Sequence, residues 1–301
     1  MTTCKSLLVN ISFALVFLFQ TNLSFGQNVL QAKIGQCAKN ANGNVGVYAL
    51  VLETGETVSY NGDKKFPMQS VYKFPIAMAV LDRVDKKQLS LNKKISVTKA
   101  DYIAKIGHSP LRDKFPNGTD IAIKDLVKYS VSESDGSASD VLVRLLGGTK
   151  FANEYVHRLG VKDIAIATTE KIQVENDTIQ YQNWATPKAM TSLLNIFYTR
   201  HKLSASSRAV LLNDMITSTP GAKRLKGLLP VGTIVAHKTG TAGTFNGLTR
   251  ATNDAGIITL PNGKHLAITV FIADSHSSEE IRELTIAKIG KAAFDYWGGG
   301  K

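Results

Sequence analysis

Strand-rich segments stand at both ends of this 301-residue chain with a long helical stretch between them, an order few folds can accommodate. Near the start, residues 45–51 (VGVYALV) are apolar and β-rich, Glu53-Thr54-Gly55-Glu56 supplies a turn, and Thr57 to Tyr60 resumes as a strand. Strand character returns at Thr233 to Thr241, Gly256 to Leu260 and His265 to Ala273, the last two joined by Pro261-Asn262-Gly263. Ser277 and Glu280 then form a capping box for a final helix ending near Trp297. Between the strands, Ser70 to Lys87, Ile123 to Ser130, Ala138 to Leu146, Lys150 to Leu159, Pro187 to Tyr198 and Ser204 to Ile216 carry helical periodicity. Pro75 is tolerable only near a helix start, which puts Ser70 at the N-terminal end of its helix. The expected architecture is α/β with an inserted all-α domain, an antiparallel sheet flanked by helices. Residues 27–70 and 230–301 would form the mixed part, 71–229 the mainly helical part, and the functional site would lie between them. Residues 166–184 are polar and aperiodic, and a loop of that length in a compact domain is functional or disordered.

Residues 1–26 read as a signal peptide: Lys5, an apolar run from Leu7 to Phe19, then Ser24 and Gly26 as small residues before Gln27. That run of about 13 residues is short beside the roughly 20 a bilayer span needs, so a periplasmic protein without a stable membrane anchor is expected. One cysteine then remains, Cys37, which excludes an internal disulfide and suits a small buried apolar residue on the first helix. The 6 histidines are scattered without zinc-ligand spacing, so neither metal nor cofactor is expected. The net charge of +12 is spread along the chain, as a solvated basic surface is. It does not predict a nucleic-acid partner, but its positive field favours small anionic substrates.

Three short motifs carry chemistry. Ser-x-x-Lys occurs at Ser70/Lys73, Ser90/Lys93 and Ser96/Lys99, and only the first opens a strongly apolar helix. Serine and lysine at i and i+3 share a helix face, and a lysine buried beside other cations can accept a serine proton. Ser134-Asp135-Gly136 precedes a helical run, and Lys238-Thr239-Gly240-Thr241 lies on an expected strand. Each has an ordinary structural reading, as a helix cap and as an edge strand blunted by lysine. Their order and spacing together are what chance does not supply.

The trio resembles the class A serine β-lactamases, whose motifs these are. The resemblance runs from about Ile34 to Trp297 and includes Phe66-Pro67-Met68-Gln69, Pro116-Asn117-Gly118, Tyr181-Gln182-Asn183-Trp184, Arg224-Leu225-Lys226-Gly227 and Thr252-Asn253-Asp254. Together these are similar to the extended-spectrum PER/VEB-like branch. The resemblance implies that Ser70 is acylated by a β-lactam, with the backbone amides of Ser70 and Thr241 as oxyanion hole. It makes Lys73 and Ser134 proton carriers, and Lys238, Thr239, Thr241 and Arg224 carboxylate binders. Glu170, in the long loop, would activate the water that frees the acyl-enzyme. A small-molecule β-lactam would be the partner, and the protein a monomer.

Two residues depart from the family pattern. Gly136 stands where an asparagine usually holds the substrate side chain, so any substrate contact there would be made without a side chain. Val174 stands where a polar residue usually positions water, and either Gln173 substitutes or the loop is shaped differently. The alternatives are a DD-peptidase or penicillin-binding protein, which would generally lack Glu170, and a non-catalytic β-lactam-binding protein. His108 is a candidate for the site entrance.

Overall fold

The computed structural model describes residues 28–200 and 202–299, so the expected signal peptide lies outside the described residues. Its centre is a five-stranded antiparallel sheet of β1 (Asn44–Val51), β2 (Thr57–Tyr60), β3 (Val235–Thr241), β4 (Thr252–Thr259) and β5 (His265–Ala273), in the order β2-β1-β5-β4-β3. The nearly continuous apolar run of β5 is explained by its position, because both of its faces are covered. Leu266, Ile268, Val270 and Ile272 join one core with the helices at 28–39 and Glu279–Gly298. Ala267, Phe271 and Ala273 join the other, with Pro187–Thr199 and the helical middle of the chain. Period-two alternation thus divides one strand between two cores. Cys37, on the helix at 28–39, is half-buried against the first of these.

The helix Lys73–Asp85 is buried from Lys73 through Leu81, as a helix apolar all round should be. Ile123–Val131, Gly136–Leu146, Thr149–Arg158 and Ala205–Ile216 pack against it or against each other. Phe74 meets Phe197 edge-on at 5.4 Å, tying this bundle to the helix that lies on the sheet. The single helix expected over 70–87 is divided: Gln69–Tyr72 is a 3-10 turn, the α-helix begins at Lys73, and it stops at Asp85.

Three other expectations shift. The final helix is capped by Ser278, which accepts from the Ile281 amide, because Ser277 is engaged elsewhere through Asn40 O and Ser275 Oγ. β4 begins at Thr252, four residues before the expected start. The aperiodic loop contains a short helix, Glu170–Glu175, and a 3-10 segment, Asp177–Gln182, each too short to display a period. Its base is closed by a three-stranded patch of Phe66–Pro67, Trp184–Ala185 and Ile164–Ala165. Buried Asn183 takes the Ala167 and Thr168 amides at 2.7 and 3.0 Å and donates to Thr168 O at 2.8 Å. Nothing in a run of polar residues announces such closure before folding.

Candidate active site

Ser70 is the second residue of the 3-10 turn, and the turn is held against the sheet from two sides. Asn253 on β4 donates to Pro67 O at 2.8 Å and to Met68 O at 3.1 Å. On edge strand β3, Gly240 approaches so closely that a Cβ there would lie 2.3 Å from Met68 O and 3.2 Å from Ser70 N. Only glycine permits this approach, which brings the Gly240–Thr241 backbone against the serine amide. Gln69 and Ser134 both hold positive φ, at 46° and 58°, a conformation that costs energy for side chains of their kind and clusters at functional sites.

Lys73 is wholly buried, and its Nζ lies 2.8 Å from Ser70 Oγ, 2.7 Å from Ser134 O and 3.3 Å from Glu170 Oε2. Lys238, equally buried, donates to Ser134 Oγ and Thr239 O, both at 2.8 Å. Ser70, Lys73, Ser134 and Lys238 therefore form one cluster of linked polar contacts. Burial and then the nearby Lys73 charge push the Lys238 ammonium well below the usual lysine range, opposed by Asp254 and Glu170. Asp254 stands behind the strand, 2.9 Å from the buried His237 Nδ1. Lys238 lies on an edge strand, as its blunting role would require, yet it points inward and is covered.

The Ser134-Asp135-Gly136 motif caps a helix and faces the lysine cluster at once. Ser134 faces Lys238, while Asp135 caps the following helix through the Ala138 amide at 2.7 Å and also takes the Leu111 amide at 2.6 Å. Gly136 is different from expectation. A Cβ on it would lie 2.6 Å from Glu170 Cγ and 2.6 Å from Ile103 Cδ1, so the position faces the glutamate and is absent from the cavity wall. It makes room for Glu170.

Glu170 opens the short loop helix. Its amide and that of Lys171 are taken by the two carboxylate oxygens of Asp140, each at 2.8 Å. Its own Oε2 accepts from Tyr72 OH at 2.9 Å. Burial is the main cause that pushes the Asp140 carboxyl up to about 6, against the lowering effect of the two amides. A carboxyl raised on folding contributes stability that is fully present below its unfolded value near 3.9 and lost as pH rises through about 6. Asp140→Asn should therefore flatten the pH dependence of the unfolding free energy between about pH 4 and 6. Urea melts of parent and variant across that window check this, the parent losing stability relative to the variant as pH rises.

These groups border a cavity of about 540 Å³ whose wall includes Ser70, Ser134, Glu170, Gln173, Thr239 and Thr241. Lys73, Lys238 and Arg224 stand behind it. Arg224 is buried, its guanidinium divided among Glu283, the carbonyls of Gly240 and Asn253, and Thr241 Oγ1 at 2.7 Å. Its reach toward the cavity is thus through Thr241. His108, whose Nε2 lies 2.9 Å from Glu133 O, is on the rim with Ile106 and Phe245. Gln173 and Val174 both line the cavity, and Gln173 Oε1 has no protein partner.

Sequence reasoning missed Tyr72, Asp140 and the chain Gln69–Gln180–Asp177–Arg250 that ties the Ser70 turn to the loop and to the segment just before β4. Tyr72 was visible as the third residue of the Ser70–Lys73 turn, but its phenol could have faced any neighbour. Among the described residues no His/Cys/Asp/Glu cluster is arranged for a metal.

A family model described as the β-lactamase enzyme family matches residues 28–297. The chain is 43% identical to β-lactamase VEB-1 of Pseudomonas aeruginosa over 270 residues, 89% of this chain and 90% of that one. The structure of the TLA-3 extended-spectrum β-lactamase is 45% identical, with a TM-score of 0.88 over 90% of this chain and 99% of the other. A class A β-lactamase from Bacteroides cellulosilyticus is 35% identical, with a TM-score of 0.86 over 91% of this chain and 99% of its own. The antiparallel sheet flanked by helices has its counterpart there: the chain belongs to the β-lactamase enzyme family, in its class A branch.

Proposed function

We propose that the protein hydrolyses β-lactam antibiotics, penicillins and cephalosporins including oxyimino-cephalosporins, and so confers resistance. The observation that carries this reading is Lys73 Nζ standing between the Ser70 hydroxyl, at 2.8 Å, and the Glu170 carboxylate, at 3.3 Å. Ser70 Oγ attacks the lactam carbonyl while its proton passes toward Lys73, and the amides of Ser70 and Thr241 hold the oxyanion. The C–N bond breaks, and the lactam nitrogen takes a proton from Ser134, which is replaced by the one Lys73 received from Ser70. The hydroxyls of Thr239 and Thr241 donate to the substrate carboxylate under the positive field of Lys238, with Arg224 acting through Thr241. Glu170 then removes a proton from water, the water oxygen adds to the acyl carbon, the Oγ–C bond breaks, and Ser70 Oγ takes up the proton that Glu170 removed. Gln173 lines the cavity beside Val174, and its amide suits the water-positioning role that the alkyl side chain of Val174 cannot take.

A DD-peptidase would use Ser70, Lys73 and Lys238 but has no need of Glu170, and a pure binding protein would need none of the four. The sequence of residues 1–26 supports export to the periplasm, and the division into 27–70 with 230–301 and 71–229 is proposed as the domain organisation, with a monomer as working state. Among the described residues no helix is long and apolar enough to cross a membrane. Purified mature protein should turn over a chromogenic cephalosporin and a penicillin, and Ser70→Gly should lose on the order of 10⁴-fold or more in kcat/KM. A long-lived adduct without turnover in the parent would favour the peptidase, and no adduct at all the binding protein.

A further inference from the structure

We infer that Tyr72 is a positioning residue for Glu170, fixing the orientation of the carboxylate that activates water; the inference rests on the deacylation role proposed above. Tyr72 is fully buried in the nucleophile's own turn, and its hydroxyl lies 2.9 Å from Glu170 Oε2, the same oxygen that Lys73 Nζ approaches at 3.3 Å. The terminal torsion of a glutamate is broad and nearly two-fold, so a carboxylate alone does not hold one plane. Two donors converging on one oxygen select a plane and leave Oε1, for which the described residues offer no donor, facing water.

The phenol is a dependable donor. Burial first, then the Glu170 and Asp140 charges, push its pKa well above the tyrosine value, so it keeps its proton at any working pH. The charged groups that face Glu170 are Lys73 from the helix after the nucleophile, Asp140 from Gly136–Leu146, Lys238 from β3 and Lys171 beside it. Tyr72 is the neutral donor in this set. It can therefore orient the carboxylate without adding charge near the proton path from Ser70. On the other side, Gly136 leaves the space that Glu170 Cγ occupies. A hydroxyl at 72 and no side chain at 136 are two halves of one arrangement, the first gripping the carboxylate and the second admitting its stem.

The test is Tyr72→Phe, which deletes one oxygen and keeps the ring in its core. Acylation of Ser70 should proceed at about the parental rate, deacylation should fall about tenfold, and the acid limb of the deacylation rate should move up by about one pH unit, because the ionised carboxylate loses a donor. A purely structural effect would lower thermal stability and slow both steps without moving the limb. In a Glu170→Ala background, Tyr72→Phe should change nothing further, since its only target is gone. If the phenylalanine variant does not fold, 2,3-difluorotyrosine at position 72 replaces it; the more acidic phenol is a stronger donor and should move the limb down. Parental deacylation with an unmoved limb in either variant, while Glu170→Ala stalls, overturns the inference and leaves the function standing. Normal turnover by Glu170→Ala overturns both.

Discussion

Glu170→Ala is expected to acylate at nearly the parental rate and then stall, with kcat lower by about three orders of magnitude. The two steps depend on different atoms. Ser70 Oγ, Lys73 Nζ, Ser134 and Lys238 are linked to one another whether or not the glutamate is present. Water attack on the ester has no comparable set: of the two carboxylates on the cavity wall, Asp177 is engaged by Gln180 and Arg250, and Glu170 is the one that meets Lys73. The variant should also fold, because Asp140 binds the loop through backbone amides that alanine retains. A chromogenic cephalosporin mixed with it in a stopped-flow instrument should give a burst of one equivalent per site and little afterwards. A variant without a burst but with slow steady turnover would instead assign acylation to Glu170.

Gly136→Asn should damage the same step from the opposite side. The first added carbon alone would lie 2.6 Å from both Glu170 Cγ and Ile103 Cδ1, well inside van der Waals contact. Ile103 has little room to retreat, being buried and held through its amide by Ser137 Oγ at 3.1 Å. Glu170 is the group that gives way, and it then leaves the Tyr72 hydroxyl or the Asp140 clamp. Overpacking of this kind costs about 1–3 kcal/mol of stability, read as a lower melting temperature. The catalytic loss should be larger, about 100-fold in kcat, with acyl-enzyme accumulating. Gly136→Ala carries the same first carbon and should shift both quantities in the same direction. Parental turnover by both variants would show that the glutamate is not confined by this contact.

What could be read in advance was whatever repeats along the chain. The apolar face of Ile123–Val131 and the run of β5 each state their element and their burial many times over, so single misreadings do not matter. The contact of Ser70 with Lys73 was legible because a Ser-x-x-Lys spacing is also a helix geometry. Single-residue decisions were not. Ser277 and Ser278 are equally good caps on paper, and the choice is made by Asn40 and Ser275, which come from elsewhere in the fold. Arg224 suits a carboxylate by its chemistry, yet Glu283 and three oxygens near the sheet edge claim its guanidinium. Gly136 looked like a lost substrate contact because sequence gives identity without direction. In the fold its missing side chain points at Glu170, which lies 34 positions along the chain. Long-range placement of that kind follows from packing, and local spacing does not encode it.

The central claim is that Ser70 carries an acyl group which Glu170 causes to leave. Intact-mass spectrometry of parent and Glu170→Ala, sampled over time after mixing with a penicillin, tests it directly when followed by peptide mapping of the adduct. The predicted result is hydrolysed penicillin and unmodified protein for the parent, and for the variant a stable adduct of one whole penicillin on the peptide containing Ser70. An adduct on another residue, or a Glu170→Ala protein that returns to its unmodified mass as fast as the parent, would contradict the account.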